Sequence, residues 1–132
     1  LVGSEMCIRD RGTSAEAASY PLETADKEIL SPLLMECGLS HLMKKTDTEA
    51  DWSHILSLGE QQKLAFVRVF LRKPKWVFLD EATSAMDEET EEKMYRLLTA
   101  LPGTTVISIG HRSTLDKWHD RVLRIENGKL IG

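Results

Sequence analysis

The run Trp76–Leu79 constrains this chain more than any other stretch. Its four apolar residues follow one another without polar alternation, between Lys73-Pro74 on one side and Asp80-Glu81 on the other. A strand with one wet face alternates polar and apolar side chains, whereas an unbroken apolar strand belongs to a sheet covered on both faces. The run therefore predicts a fully buried strand, and with it a sheet that needs helices on either side.

The flanking sequence supplies them. Ser57-Leu-Gly-Glu60 fits the capping box, with the Ser57 hydroxyl meeting the Glu60 amide and Glu60 reaching back. Beyond it, Leu64, Val67 and Leu71 share one helical face with Phe66 and Phe70 beside them, and Lys73-Pro74 ends the helix. Glu88–Leu101 reads as a second helix, its exposed side carrying the pairs Glu89/Lys93 and Glu92/Arg96. Pro102-Gly103 turns the chain into another strand, Thr105–Ile109. A helix over Ser113–His119 follows, then a hairpin of Val122–Ile125 and Lys129–Ile131 about the Asn127-Gly128 turn. Helices alternate with apolar strands, so this half is α/β with a mostly parallel core sheet.

Upstream the chain is more polar. Residues 13–18 form a first helical piece, broken at Tyr20-Pro21. A helix from about Thr24 to Cys37 carries Ile29, Leu33 and Leu34 at helical spacing, and Gly38 stops it. A short helix at Ser40–Lys44 and a polar loop from Thr46 to Ser53 complete the segment. Residues 1–11 show neither clear periodicity nor a secretion-signal layout. They resemble a translated sequencing-adaptor segment and are set aside as non-native. The 132 residues suit one modest domain or part of a larger one. A net charge of −4 gives no general drive toward nucleic acid or anionic lipid, so no nucleic-acid partner is expected. No apolar run approaches a membrane span. Cys7 and Cys37 have no metal-ligand or redox spacing and read as free thiols.

Ligands of open α/β sheets gather beyond the carboxyl ends of the strands. Asp80 and Glu81 occupy that position after one strand, and His111 after the next. Asp80 could hold a hard Mg²⁺ ion through water, Glu81 could polarise an attacking water, and His111 could donate to a phosphate oxygen. Each residue alone has a plainer reading. An Asp-Glu pair can be a solvated strand end, a lone histidine can be structural, and Ser57 can be nothing more than a cap. The acidic run Asp87–Glu92 can be a helix N-terminus with favourable dipole placement. His41, His54 and His119 carry no partner signal and read as surface residues.

The order of the pieces carries more. Leu56–Gln61 (LSLGEQ), Trp76–Glu81 (WVFLDE), Ser84–Asp87 (SAMD) and Gly110–Arg112 (GHR) resemble the signature, Walker B, D-loop and switch-histidine motifs of ATP-binding cassette (ABC) ATPases. Met86 stands where leucine is usual. The resemblance covers roughly residues 12–132. It is narrower toward fused permease–ATPase transporters of the SbmA/BacA-like and peroxisomal fatty-acyl transporter group, and Gly12–Pro21 resembles the segment after the Q-loop there.

The resemblance implies the C-terminal part of a P-loop NTPase domain. Residues 12–56 would form a helical subdomain, and residues 57–132 a catalytic core of parallel sheet with a C-terminal hairpin. It implies ATP and Mg²⁺, with Asp80 on the metal, Glu81 as general base and His111 sensing the γ-phosphate. Ser57, Leu58, Gly59 and Glu60 would contact nucleotide held by a second ABC domain paired head to tail, and Asp87 would communicate across that dimer. A helix N-terminus at Ser57 suits phosphate, and Gly59 lets backbone approach it. A permease domain fused upstream would place the chain on the cytoplasmic face of a membrane, the inner membrane of a bacterium. The phosphate-cradling G-x-x-x-x-G-K-[ST] is absent from these residues: the only Gly-Lys is Gly128-Lys129, and Leu130 follows. The Q-loop glutamine and the adenine-stacking aromatic are expected upstream of Gly12. Two other readings remain: a non-transport ABC ATPase acting on DNA or ribosomes, and an inactive fragment.

Overall fold

The computed structural model describes residues 11–12, 27–45, 50–51 and 55–132. The expected helix at 13–18, the Tyr20-Pro21 break, most of the loop from Thr46, Cys7 and His54 lie outside these residues.

Strand β1 (Arg11–Gly12) pairs antiparallel with β2 (Ala50–Asp51). Between them run helix α1 (Lys27–Glu36) and a 3₁₀ turn (Ser40–Lys45). Helix α1 buries Leu30, Leu34 and Cys37, with Leu33 half-buried, an i, i+3, i+4, i+7 stripe. Ile29, expected on that stripe, is exposed, because its position is turned about 100° from Leu30. Gly38 follows at φ +70°, the left-handed exit that glycine adopts without penalty. Burial pushes the Cys37 thiol up to about 12.

Helix α2 (Leu58–Arg72) starts at the Ser57 capping box and ends on a left-handed Lys73, whose N–H bonds Val69 O at 2.8 Å. Its buried face holds Leu64, Phe66, Val67 and Phe70. Strand β3 (Trp76–Asp80) follows, then helix α3 (Glu88–Thr99), then strand β4 (Thr105–Ile109). β3 and β4 pair in parallel and in register, Trp76 with Thr105 through Asp80 with Ile109. At the start of the pair, Thr105 N donates to Lys75 O and Thr104 Oγ1 to Pro74 O, both at 2.8 Å. A 3₁₀ turn (Ser113–Trp118) and an antiparallel hairpin of β5 (Arg124–Glu126) and β6 (Lys129–Ile131) complete the chain.

The expectation of a fully buried β3 does not hold. Val77 and Leu79 are buried, while Trp76 and Phe78 are 60% and 53% exposed. On β4, Val106 and Ser108 turn inward, and Ile107 and Ile109 outward. The physical reason is that the core lies on one face only among the described residues. That core packs the α1 leucines, the apolar face of α2, Val77 and Leu79 of β3, and Met94, Tyr95 and Leu98 of α3. Phe66 meets Phe70 and Tyr95 at centroid distances of 6.1 and 6.5 Å, and Tyr95 stacks on Trp118 at 6.4 Å. The opposite face is apolar yet open to solvent.

Two expected ion pairs on α3 divide. Arg96 bonds Glu92 at 3.2 Å, but Lys93 turns from Glu89 to Glu36 of α1 at 3.3 Å, tying the two parts of the chain together. Both pairs are exposed, where screening and side-chain entropy leave an ion pair little net effect on stability.

The open sheet face makes a testable statement about the 132-residue polypeptide. It should self-associate, and the double change Ile107→Thr with Ile109→Thr should reduce light scattering at equal concentration. Stability should move by less than about 0.5 kcal/mol, since neither side chain enters the core and threonine suits a strand. A large loss of stability in urea titration would place those side chains in a core instead.

Candidate functional site

The parallel register delivers the ends of β3 and β4 to the same edge. Asp80 is the last residue of β3, and no hydrogen bond or ion pair among the described residues engages its carboxylate. Glu81 follows at φ 45°, and its N–H bonds Ile109 O at 2.9 Å. Left-handed backbone costs a non-glycine residue about 1–2 kcal/mol and turns the side chain off the strand line. The turn has a result: Glu81 Oε1 lies 3.2 Å from Nδ1 of His111, which stands just beyond β4. Both side chains are solvent-accessible, at 55% and 72%.

The start of α2 forms a second cluster. Ser57 N and Ser57 Oγ both donate to Glu60 Oε2 at 2.9 Å, and Glu60 N donates to Ser57 Oγ at 3.3 Å. The backbone hydrogen bond from Ser57 holds the Glu60 carboxyl below its usual range. His41, expected to be partnerless, reaches Glu60 Oε1 with Nε2 at 2.9 Å. Leu58 is exposed beside this cluster. Gly59 is explained by packing: a Cβ there would sit 2.9 Å from the Ala85 carbonyl oxygen. The helix start and the loop after β3 therefore touch backbone to backbone.

That loop, residues 81–87, is gripped from both sides. Gln62, 5% exposed, donates to Ser84 Oγ at 3.0 Å and to Glu81 O at 3.4 Å, and accepts from Ala85 N at 3.1 Å. From the other side, Arg112 donates to Ser84 O at 3.1 Å, Met86 O at 3.2 Å and Glu91 Oε2 at 3.3 Å. Asp87 closes the loop by capping α3, its Oδ1 accepting from Thr90 N at 2.7 Å, a bond that lowers its pKa.

Gln62 and Glu91 were not singled out by sequence reasoning, although a signal existed. Gln62 opens the buried series Gln62, Phe66, Val69, Phe70 of α2, and Glu91 opens the series Glu91, Met94, Tyr95, Leu98 of α3. A polar residue at the head of an apolar stripe must find partners indoors. His119, expected at the surface without a partner, is likewise engaged. Its Nδ1 is 2.9 Å from Leu115 O, its Nε2 2.9 Å from Ser108 Oγ, and its ring meets Tyr95 edge-on. It follows the Ser113–Trp118 turn, which folds it back onto β4.

Chemically, the arrangement offers an exposed carboxylate–imidazole pair with a free carboxylate beside it. Among the described residues no three His, Cys, Asp or Glu side chains converge to hold a metal. A divalent ion would therefore take Asp80 and fill its remaining positions with water and substrate oxygens, the habit of Mg²⁺. The donor set fits that role, and no G-x-x-x-x-G-K-[ST] occurs within these 132 residues.

A family model described as ABC transporter matches residues 2–84, more than half of the chain. The fold is that of an ABC ATPase domain: a bacterial Atm1-family ABC exporter with ATP bound superposes with a TM-score of 0.78 at 26% identity, over 96% of this chain and 23% of that one. An ABC transporter ATP-binding protein of Haemophilus influenzae is 52% identical over 120 residues. The human lysosomal cobalamin transporter ABCD4 is 43% identical over 129 residues. Each of these two alignments takes in 89% of this chain and 20% and 21% of the relative, so the chain spans about a fifth of their length. The chain belongs to the ABC transporter family.

The contact at Gly59 can be tested directly. An ordinary helical Gly→Ala change stabilises by up to about 1 kcal/mol. Gly59→Ala should instead destabilise by about 1–3 kcal/mol, because the Ala85 carbonyl is backbone and yields only with its loop. Urea unfolding gives the sign, and a stabilised variant would separate the two segments.

Proposed function

We propose that this chain is part of an ATP-hydrolysing domain that drives solute movement across a membrane. The observation that supports it most is the meeting of Glu81 and His111 at one sheet edge, with Asp80 unengaged beside them. In this reading Asp80 would hold Mg²⁺ through water, and the ion would supply positive charge to the bound phosphates. Glu81 accepts a proton from the attacking water. His111, oriented by the Glu81 carboxylate, donates to a γ-phosphate oxygen.

Ser57, Leu58, Gly59 and Glu60 face a second ABC domain bound head to tail, and add a helix N-terminus to its nucleotide. The Ser57 hydroxyl already serves Glu60, so a phosphate there competes with an internal bond. Asp87 lies at the end of the gripped loop and meets the partner domain. Residues 12–56 act as the helical subdomain toward a permease domain fused upstream, and residues 57–132 as the catalytic core. The site then works at the cytoplasmic face of a membrane, the inner membrane in a bacterium. No helix among the described residues is long and apolar enough to cross one.

Two substitutions in the full-length protein test this. Glu81→Gln keeps size and removes the base, so ATP turnover should fall by about 10²-fold or more while ATP binding survives. Turnover near wild type would remove Glu81 from the role. Ser57→Asp keeps a helix cap, so stability should change by less than about 1 kcal/mol. Its charge opposes a phosphate, so ATP-dependent dimerisation should fail. Normal dimerisation, read by size-exclusion chromatography with Glu81→Gln as background, would leave Ser57 a cap alone.

A further inference from the structure

We infer that Glu91 is a positioning residue for hydrolysis, fixing His111 against Glu81 by locking together the two loops that carry them. The inference rests on the ATPase reading above. Glu91 is 1% exposed on α3. Its Oε2 accepts from Thr83 Oγ1 at 2.7 Å, and its Oε1 from Thr114 Oγ1 at 2.6 Å. Arg112 Nη1 donates to the same Oε2 at 3.3 Å. Thr83 stands two residues after Glu81, and Arg112 one residue after His111. One carboxylate thus joins the loop after β3 to the loop after β4, within two residues of each reacting side chain.

Arg112 completes the lock by donating to Ser84 O and Met86 O. A leucine would continue the Met94, Tyr95, Leu98 stripe and fill this position without any desolvated charge. A buried carboxylate offers little net stability over such a residue. What it adds is geometry: fixed distances between two loops that the sheet itself holds only at their first residues.

The test uses the full-length protein in lipid nanodiscs. Glu91→Gln keeps the shape and a carbonyl for one threonine, and loses the charge facing Arg112. The kcat for ATP should fall by at least about tenfold, because small misplacements of reacting groups cost that much, with KM for Mg-ATP within about twofold. Arg112→Lys keeps the charge, loses the planar fork, and should act in the same direction; it carries the test if Glu91→Gln does not fold. In a His111→Ala background, Glu91→Gln should add no further loss. A merely structural role would lower the thermal midpoint and leave kcat below that midpoint unchanged in both variants; that result, or losses that add to those of His111→Ala, overturns the inference. A wild-type protein without ATPase activity overturns the ATPase reading as well, so the two failures are distinct.

Discussion

Everything at the candidate site depends on the in-register parallel pairing of Trp76–Asp80 with Thr105–Ile109. Parallel strands need a crossover between them, and here α3 supplies it. Because the pairing begins at Trp76 with Thr105 and ends at Asp80 with Ile109, both strands stop at the same height. The residues that leave the sheet next, Glu81 and Gly110-His111, emerge side by side. A shift of one residue would turn Val77 and Leu79 out of the core, so the apolar packing and the site share a single register.

The sheet alone does not fix the loop that follows β3. Gln62 of α2 and Arg112 beyond β4 hold it through its own backbone, with Glu91 behind Arg112. No buried side-chain polar atom lacks a partner among the described residues. A satisfied polar network inside a small core is stiff, since breaking any member leaves others desolvated and unpaired. The helix start at Ser57 is coupled to the same loop by the backbone contact at Gly59. The start of α2, the loop and the β4 exit therefore behave as one body.

Periodicity and motif order made most of this legible. The capping box at Ser57, the end of α2 at Lys73-Pro74 and the strand Thr105–Ile109 fall where the sequence placed them, because caps, proline and β-branched runs act locally. The apolar run of β3 signalled two covered faces, and the described residues cover one; the pattern reports what a strand is built for, not what lies against it. Spacing alone puts the α1 stripe at Ile29 rather than Leu30, because a short apolar stretch fits more than one helical phase. Asp80, Glu81 and His111 could be named from motif order, but their meeting depends on register and on the left-handed turn at Glu81. Gln62, Glu91 and His119 act through partners 4 to 24 residues away in sequence; an apolar stripe behind Gln62 or Glu91 announces a buried polar group, but not which residues it meets.

The left-handed backbone at Glu81 has a consequence for how this position tolerates change. Glutamate is poorly suited to that conformation, and glycine would relieve about 1 kcal/mol of it. The most comfortable residue there is thus one without a carboxylate, so under the proposed hydrolysis stability and activity draw the position in opposite directions. A search for thermally hardened variants, blind to turnover, would drift toward removing the very group that the sheet edge is arranged to present.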